Sequence, residues 1–377
     1  GYYRSTGKPG VFLTSTGPGA ANSMSGMGEA HFSYSSILNI MSTAEENLYG
    51  RGIGANHETA DQQGMLATVS QWSYHVTKAD EVPDRIFEAF QRFGRNRPQP
   101  IAIEMPADVQ AQLAEVEIPQ VREFDVEDLD VESIKNAADL LLSGKRIAIW
   151  AGTGVDRSGA SSELIGLAES LGIPVFTTPG GKNGIPSDHP MNLGSLGGPG
   201  NMTRPDYPLK QFISTLDTLL VIGSSLRYTS TKAQNLELPP KVIHVDISPE
   251  PIGKLYQPMV AIVGDAKAVL RGLADEVRGK PTNIEPNFGT DIESVKNEVA
   301  NFLLENLPNP MVSEMFRVGK RMQGESAVGK AIDERAYRYT HGEARRPGTR
   351  DWRKSMSDNV ALALIVYTGL QIFVTVK

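Results

Sequence analysis

Gly10-Val11-Phe12-Leu13-Thr14-Ser15-Thr16-Gly17-Pro18-Gly19-Ala20-Ala21-Asn22 is the stretch on which the reading of this chain turns. Its first four residues suit a buried strand. Gly17-Pro18-Gly19 then turns the chain, and Ala20-Ala21-Asn22-Ser23-Met24 suits the start of a helix. A strand that breaks on glycines into a helix presents bare backbone N–H groups and the positive end of a helix dipole. Proteins of the α/β class place ligands there, at the carboxyl ends of their strands.

Around this turn, residues 1–110 alternate strand and helix. Gly10 to Ser15 and Ile37 to Met41 read as strands, and so does Ile101 to Met105 between Pro100 and Pro106. Gly19 to Phe32 reads as a helix with Ala20, Met24, Met27 and Ala30 near one face. Asp84 to Phe93 is a second helix, with Ile86, Ala89, Phe90 and Phe93 at helical spacing. Such alternation implies a parallel sheet covered on both faces.

Residues 111–131 are acidic without a clear period and read as a linker. A second α/β unit follows over 132–279. Its expected strands are Arg146–Ala151, Val175–Thr178, Thr218–Gly223, Val242–Ile247 and Val260–Val263. Its expected helices are Val131–Leu142, Ser158–Leu171 and Ala266–Val277, the second with Ala160, Leu164, Leu167, Ala168 and Leu171 on one face. Residues 280–309 read as a linker that becomes helical around Ile292 to Leu304, and 310–377 as the start of a third, incomplete domain.

The 377 residues are 40% hydrophobic and 21% charged, a globular composition. A net charge of -7 argues against nucleic acid as the main partner. There is no cysteine, which excludes disulfides, thiolate metal sites and a cysteine nucleophile and fits a cytoplasmic protein. The first residues, Gly1 to Pro9, have neither the apolar core of a signal peptide nor the Arg-rich amphipathy of a transit peptide. Gly1 to Ser5 reads as the end of a helix, so the chain is expected to be a fragment. Glu334 to Lys354 is dense in arginine, and Val360 to Val376 is an uncharged apolar run, β-branched and interrupted by Gly369 and Gln371. That composition favours a buried strand or a non-native tail over a short membrane span.

Gly152-Thr153-Gly154-Val155 also follows a strand and precedes a helix, but Arg157 stands where the third glycine of a dinucleotide fingerprint belongs. It is either a nucleotide turn or a tight strand–helix turn. If a nucleotide bound there, Gly152, Gly154, Arg227 and Asp246 would be its neighbours, the last two at the ends of adjacent strands. Asp265 reads as the cap of the helix beginning at Ala266 rather than a magnesium ligand. The six histidines do not cluster; His57-Glu58 lacks the second histidine of a zinc helix, and His189 lies in a turn.

Taken together these pieces resemble a family. Gly-Tyr-Tyr-Arg-Ser-Thr-Gly-Lys-Pro-Gly-Val at 1–11, Thr16 to Asn22, Gln71-Trp72-Ser73-Tyr74 and Ile103 to Val109 are similar to the pyrimidine-binding domain of thiamine diphosphate enzymes, in the acetolactate synthase and benzoylformate decarboxylase group. Residues 132 to 278 resemble that family's central domain through Ala151 to Val155, Gly180 to Pro186, Asp188-His189-Pro190 and Ile243 to Ile247. The fold implied is α/β: a parallel-sheet pyrimidine-binding domain, a Rossmann-like central domain and an incomplete third domain.

The resemblance implies a decarboxylase or carboligase acting on small 2-oxo acids. Its cofactor would be thiamine diphosphate with Mg²⁺, bound at the interface of a homodimer or tetramer. In the family a glutamate drives formation of the thiazolium ylide that attacks the 2-oxo acid, and the cofactor holds the carbanion after CO₂ leaves. By family position Gly17, Pro18, Gly19 and Asn22 lie beside the pyrimidine. The family's glutamate belongs to the helix before Gly1, and Glu45 and Glu46 follow a different strand. The Gly-Asp-Gly and downstream asparagine that hold Mg²⁺ and the diphosphate are not found. Residues 311–334 resemble the start of the domain that carries them, with Gly329-Lys330 interrupting a strand before Asp333-Glu334, and beyond Thr340 the resemblance ends. No catalytic or metal-binding residue is therefore assigned, and this chain alone is expected not to turn over substrate. Some family members bind FAD in the central domain; here Gly197-Gly198-Pro199-Gly200 replaces the usual Gly-Met-His-Gly, which weighs against it. The alternatives are a nucleotide-binding module, with FAD or NAD, and a non-catalytic dimerising remnant.

Overall fold

The computed structural model describes residues 1–95, 97–119, 129–196, 204 and 206–306, all within the unit Gly1–Asn306. A short helix α1 (Tyr2–Thr6) leads into β1 (Gly10–Thr14), α2 (Pro18–Phe32) and β2 (Ile37–Thr43). Then come α3 (Gln62–Ala67), β3 (Trp72–His75), α4 (Val82–Arg95), β4 (Ile101–Pro106) and α5 (Ala107–Gln110). The four strands form one sheet in the order β1-β2-β4-β3, every pair parallel.

Both faces of this sheet take helices. Ala20 and Met27 of α2 and Leu66 of α3 pack with Met41 and Ala102 on one face. On the other, Ala89 and Phe93 of α4 pack with Leu38, Val76, Ile101 and Ile103. The sequence reading places β1 among buried strands. Instead it is an edge strand: Phe12 packs beside α2, while Val11 and Leu13 are 51% and 78% exposed on the opposite face. Phe90, placed at helical spacing with Ala89 and Phe93, is 39% exposed and meets Phe93 edge-on.

The second sheet contains β5 (Ile147–Ala151), β6 (Val175–Thr177), β7 (Asn192–Ser195), β8 (Thr218–Ile222), β9 (Lys241–Asp246) and β10 (Val260–Val263). Its order is β10-β9-β8-β5-β6-β7, again wholly parallel. All residues of β5 and β8 are buried, as a two-sided parallel core requires. One face carries α6 (Val131–Ser143), the short α7 (Thr153–Arg157), α8 (Ser161–Leu171) and α10 (Ala266–Val277), which bring Leu141, Val155, Leu167 and Leu270 onto Ile149 and Ile222. The helix expected over Ser158–Leu171 begins only at Ser161, with Gly159 at φ 60 separating it from the short α7 before it. α6 and α10 begin on aspartates: Asp130 accepts from the N–H groups of Glu132 and Ser133, and Asp265 from those of Lys267 and Ala268.

The other face carries α9 (Pro208–Ser214) and α11 (Phe288–Glu305). The helix expected around Ile292 to Leu304 within residues 280–309 is α11, which starts one turn earlier and whose Phe288, Ile292, Val299 and Phe302 lie in the core with Trp150, Phe176 and Phe212. Among the described residues no helix is long and apolar enough to cross a membrane. Residues 120–128 of the acidic stretch, Gly197 to Gly200, and everything from residue 307 onward, including Asp333-Glu334 and Val360 to Val376, lie outside the described residues.

Candidate functional site

The turn after β1 is built by residues far from it in sequence. Gly17 has φ 59, a left-handed conformation that glycine adopts without strain. Its N–H donates to Oε1 of Gln62 at 2.7 Å, and Nε2 of Gln62 donates to the carbonyl of Ser42 at 3.1 Å. Gln62 is 2% exposed and is held by α3. The carbonyl of Gly17 accepts the N–H of Ala21, and Pro18 fills the first helical position, where a missing N–H does no harm. The expectation of bare N–H groups is therefore corrected at two positions: Gln62 occupies that of Gly17, and Pro18 has none.

Neither glycine has room for a side chain. A Cβ on Gly17 would run into the carbonyl of His57, and one on Gly19 into Oγ of Ser15. His57 itself is exposed and holds φ 56, unusual for a residue with a side chain. Its loop is pinned by Glu58, whose carboxylate accepts from the N–H groups of Gly52 (2.7 Å), Gly54 (2.8 Å) and Ala55 (3.0 Å). Those bonds, led by that from Gly52, hold the Glu58 carboxyl below the usual range. Asn22 lies one turn into α2 with its side chain exposed. Behind the turn the fully buried Asn39 accepts from Thr14 Oγ1 at 3.2 Å and donates to Ser23 Oγ at 3.1 Å, tying β1, β2 and α2 together. Gln62, His57 and Asn39 escape the sequence reading. The only signal was the Gly17-Pro18-Gly19 turn, and it names no partner.

The four residues singled out on the second sheet lie apart from this turn, beside a cleft of about 620 Å³ between the two sheets. Gly154, Gly223, Arg227 and Asp246 line it together with Tyr34, Arg97 and Arg157. Gly152 and Gly154 are required by packing. The N–H of Gly154 donates to the carbonyl of Gly223 at 2.9 Å, and a Cβ on Gly154 would lie 2.6 Å from Cα of Gly223. Gly223 in turn has φ 64 and would clash equally with Gly154. Gly223→Ala is accordingly expected to lower stability by about 2–4 kcal/mol, combining left-handed strain with overpacking. A shift of the urea midpoint checks this, and an unchanged midpoint would show that the two turns can separate.

Asp246 and Arg227 face the first sheet's half of the chain. Arg97 makes a two-pronged ion pair with Asp246, Nε to Oδ1 at 3.0 Å and Nη2 to Oδ2. Arg227 lies 3.9 Å over the ring of Phe32 and 4.8 Å over Tyr34, and donates to the carbonyl of Phe32. Burial pushes the Tyr34 phenol up, but Arg97, Ser225 and Arg227 together outweigh it and bring the group below its ordinary value. Burial holds the guanidinium of Arg157 below its usual range, and Arg157 donates to the carbonyl of Ser33 at 2.6 Å. Among the described residues no group of three His, Cys, Asp or Glu could hold a metal ion.

Two family models match the chain: "Thiamine pyrophosphate enzyme, N-terminal TPP binding domain" over residues 1–65, and "Thiamine pyrophosphate enzyme, central domain" over 134–273. A probable acetolactate synthase large subunit of Methanocaldococcus jannaschii is 33% identical over 305 residues, covering 76% of this chain and 49% of that protein. A probable 2-ketoarginine decarboxylase of Pseudomonas aeruginosa is 32% identical over 275 residues, covering 72% and 48%. The chain thus spans about half the length of the curated relatives it matches. Among solved structures, a putative thiamin diphosphate-dependent enzyme from Mycobacterium smegmatis superposes with a TM-score of 0.63 at 22% identity, over 74% of this chain and 54% of that one, a likeness of fold. FAD finds no support in these matches.

Proposed function

Because this chain belongs to the thiamine pyrophosphate enzyme family, we propose that it is part of a thiamine diphosphate-dependent decarboxylase or carboligase of the acetolactate synthase-like kind, acting on a 2-oxo acid. The observation that carries this reading is the closed glycine turn at the carboxyl edge of the first sheet, inside the residues matched by the N-terminal domain model. Gly17, Pro18 and Gly19 would hold the aminopyrimidine end of the cofactor. Asn22 supplies the side-chain amide that can donate to and accept from a ring edge. When bound, thiamine diphosphate supplies a carbon nucleophile and a store for the electron pair left by departing CO₂.

The chain's own residues orient and enclose. Gln62 fixes the turn through the N–H of Gly17, and His57 closes its outer side. Residues 1–110 form the pyrimidine domain and 132–279 the central one, in a cytoplasmic homodimer or tetramer. In the second domain the glycines at 152 and 154 accommodate Gly223, so packing within that domain accounts for them.

Saturation-transfer NMR on the 377-residue chain tests the reading, because it detects weak contact. The aminopyrimidine protons of thiamine diphosphate are expected to saturate more strongly than the thiazolium protons, and Asn22→Ala to weaken them. Saturation spread evenly, or confined to the thiazolium ring, would refute the assignment of the turn.

A further inference from the structure

The carboxyl ends of β3 and β4 carry a titratable cluster that the turn does not use. His75, the last residue of β3, stands beside Glu104 in the parallel register. Its Nδ1 lies 3.0 Å from Oε2 of Glu104, and its Nε2 lies 2.7 Å from Oε2 of Glu46. Glu46 belongs to the loop after β2. The same loop's Tyr49 donates to Glu104 Oε2 at 2.8 Å and sets its ring 4.2 Å from the imidazole. Glu104 is 1% exposed, and its other oxygen is buried without a partner. The loop then runs along the carboxyl edge of the sheet, with Glu46 and Tyr49 seated over β3 and β4 and His57 against Gly17, which follows β1 at the opposite end.

We propose that Glu46, His75 and Glu104 form a proton-operated clasp: a doubly protonated His75 holds the 44–58 loop down at both carboxylates, and a neutral His75 lets go of the Glu46 arm. Both ring nitrogens face carboxylate oxygens, which only accept. Only the imidazolium donates from both nitrogens, since a neutral ring has one donor. After deprotonation the remaining N–H stays with Glu104, which has no water to turn to, whereas Glu46 is 43% exposed and rehydrates. The Tyr49 bond to Glu104 persists, because burial and Glu104 both push the phenol far up.

The groups facing His75 are Glu104 from β4 and Glu46 and Tyr49 from the loop. Behind them, Asp108 of α5 accepts the N–H of Glu46 at 3.0 Å, and Asp61, the cap of α3, acts on Tyr49. Among the described residues no lysine or arginine makes an ion pair with Glu46 or Glu104. The Glu104 hydrogen bond raises the imidazole above its ordinary 6.5, burial opposes this, and Glu46 adds to the rise. A raised folded pKa means that the clasp is complete below 6.5 and is lost as pH climbs through the higher folded value. The clasp acts on the loop itself, whatever the turn binds.

Trypsin tests this in the intact chain, because Arg51 is exposed within the loop. Cleavage before Gly52 is followed from about pH 6 to about pH 9 and divided by the rate for a free peptide spanning 46–56. The normalised rate is expected to rise roughly fivefold with pH. His75→Gln should cut fast throughout. Glu46→Gln should cut slowly throughout, since the new amide can donate to the neutral ring. A wild-type rate without a pH step, or a step that survives in Glu46→Gln, overturns the clasp. Should His75→Gln not fold, the wild-type His75 Cε1–H resonance decides: titration above 6.5 supports the clasp, and titration at or below it refutes it.

Discussion

Arg97→Ala is expected to destabilise the chain by about 3–5 kcal/mol, the range for breaking one side of a buried ion pair. Arg97 is 8% exposed as a residue and Asp246 is 4% exposed, and the pair is two-pronged. Without Arg97 the carboxylate would keep the N–H of Ser248 at 3.0 Å as its hydrogen-bond donor. The loss has a second part. Arg97 follows α4, which packs on the first sheet, and Asp246 ends β9 in the second, so the pair joins the two halves. Urea unfolding should therefore show both a lower midpoint and a shallower transition as the halves uncouple. Arg97→Met with Asp246→Leu should recover most of the midpoint, because no buried charge is then left alone. A loss below about 1 kcal/mol for Arg97→Ala would mean that the pair behaves like a surface ion pair.

Gly17→Ala should remove the turn rather than trim it. The backbone at φ 59 is strained for alanine, and the methyl group has no space beside the His57 carbonyl. Together these are expected to cost about 2–4 kcal/mol and to abolish the pyrimidine saturation signal. Asn22→Ala separates binding from folding. On an exposed helix surface it should leave stability within about 0.5 kcal/mol while weakening the signal. If Gly17→Ala folded and bound normally, His57 would have to be able to retreat, and the closed turn would not be a requirement.

The strands and helices were legible wherever local pattern sufficed. Ile147–Ala151 and Thr218–Ile222 are apolar throughout because both their faces are covered, and the stripe on Ser161–Leu171 repeats at helical spacing. Two strands were not. Asn192–Ser195 carries Asn192 and Gly194 and has the composition of a turn, and Trp72–His75 is too polar to stand out. β1 shows the limit from the other side. Its residues announce a strand, but burial depends on what lies beside it in the sheet, which its own sequence does not encode. The site shares that limit. Gly17 could be picked out because glycines turn the strand into a helix there, yet its partner Gln62 is 45 residues away and the partner of Asp246 is 149 away. The resemblance carried the thiamine reading, and the geometry supplied the closure.

The strand order of the second sheet also has a consequence during synthesis. β5 lies at its centre, between β6 and β8, and one hydrogen-bonding edge of its Ile-Ala-Ile-Trp-Ala run is paired only once β8 has docked. About 70 further residues must be translated before β8 exists, roughly 4–14 s at usual elongation rates. For that interval the nascent chain displays a wholly apolar strand with one hydrogen-bonding edge open, the state in which ribosome-associated chaperones capture a polypeptide and in which neighbouring nascent chains would pair with it.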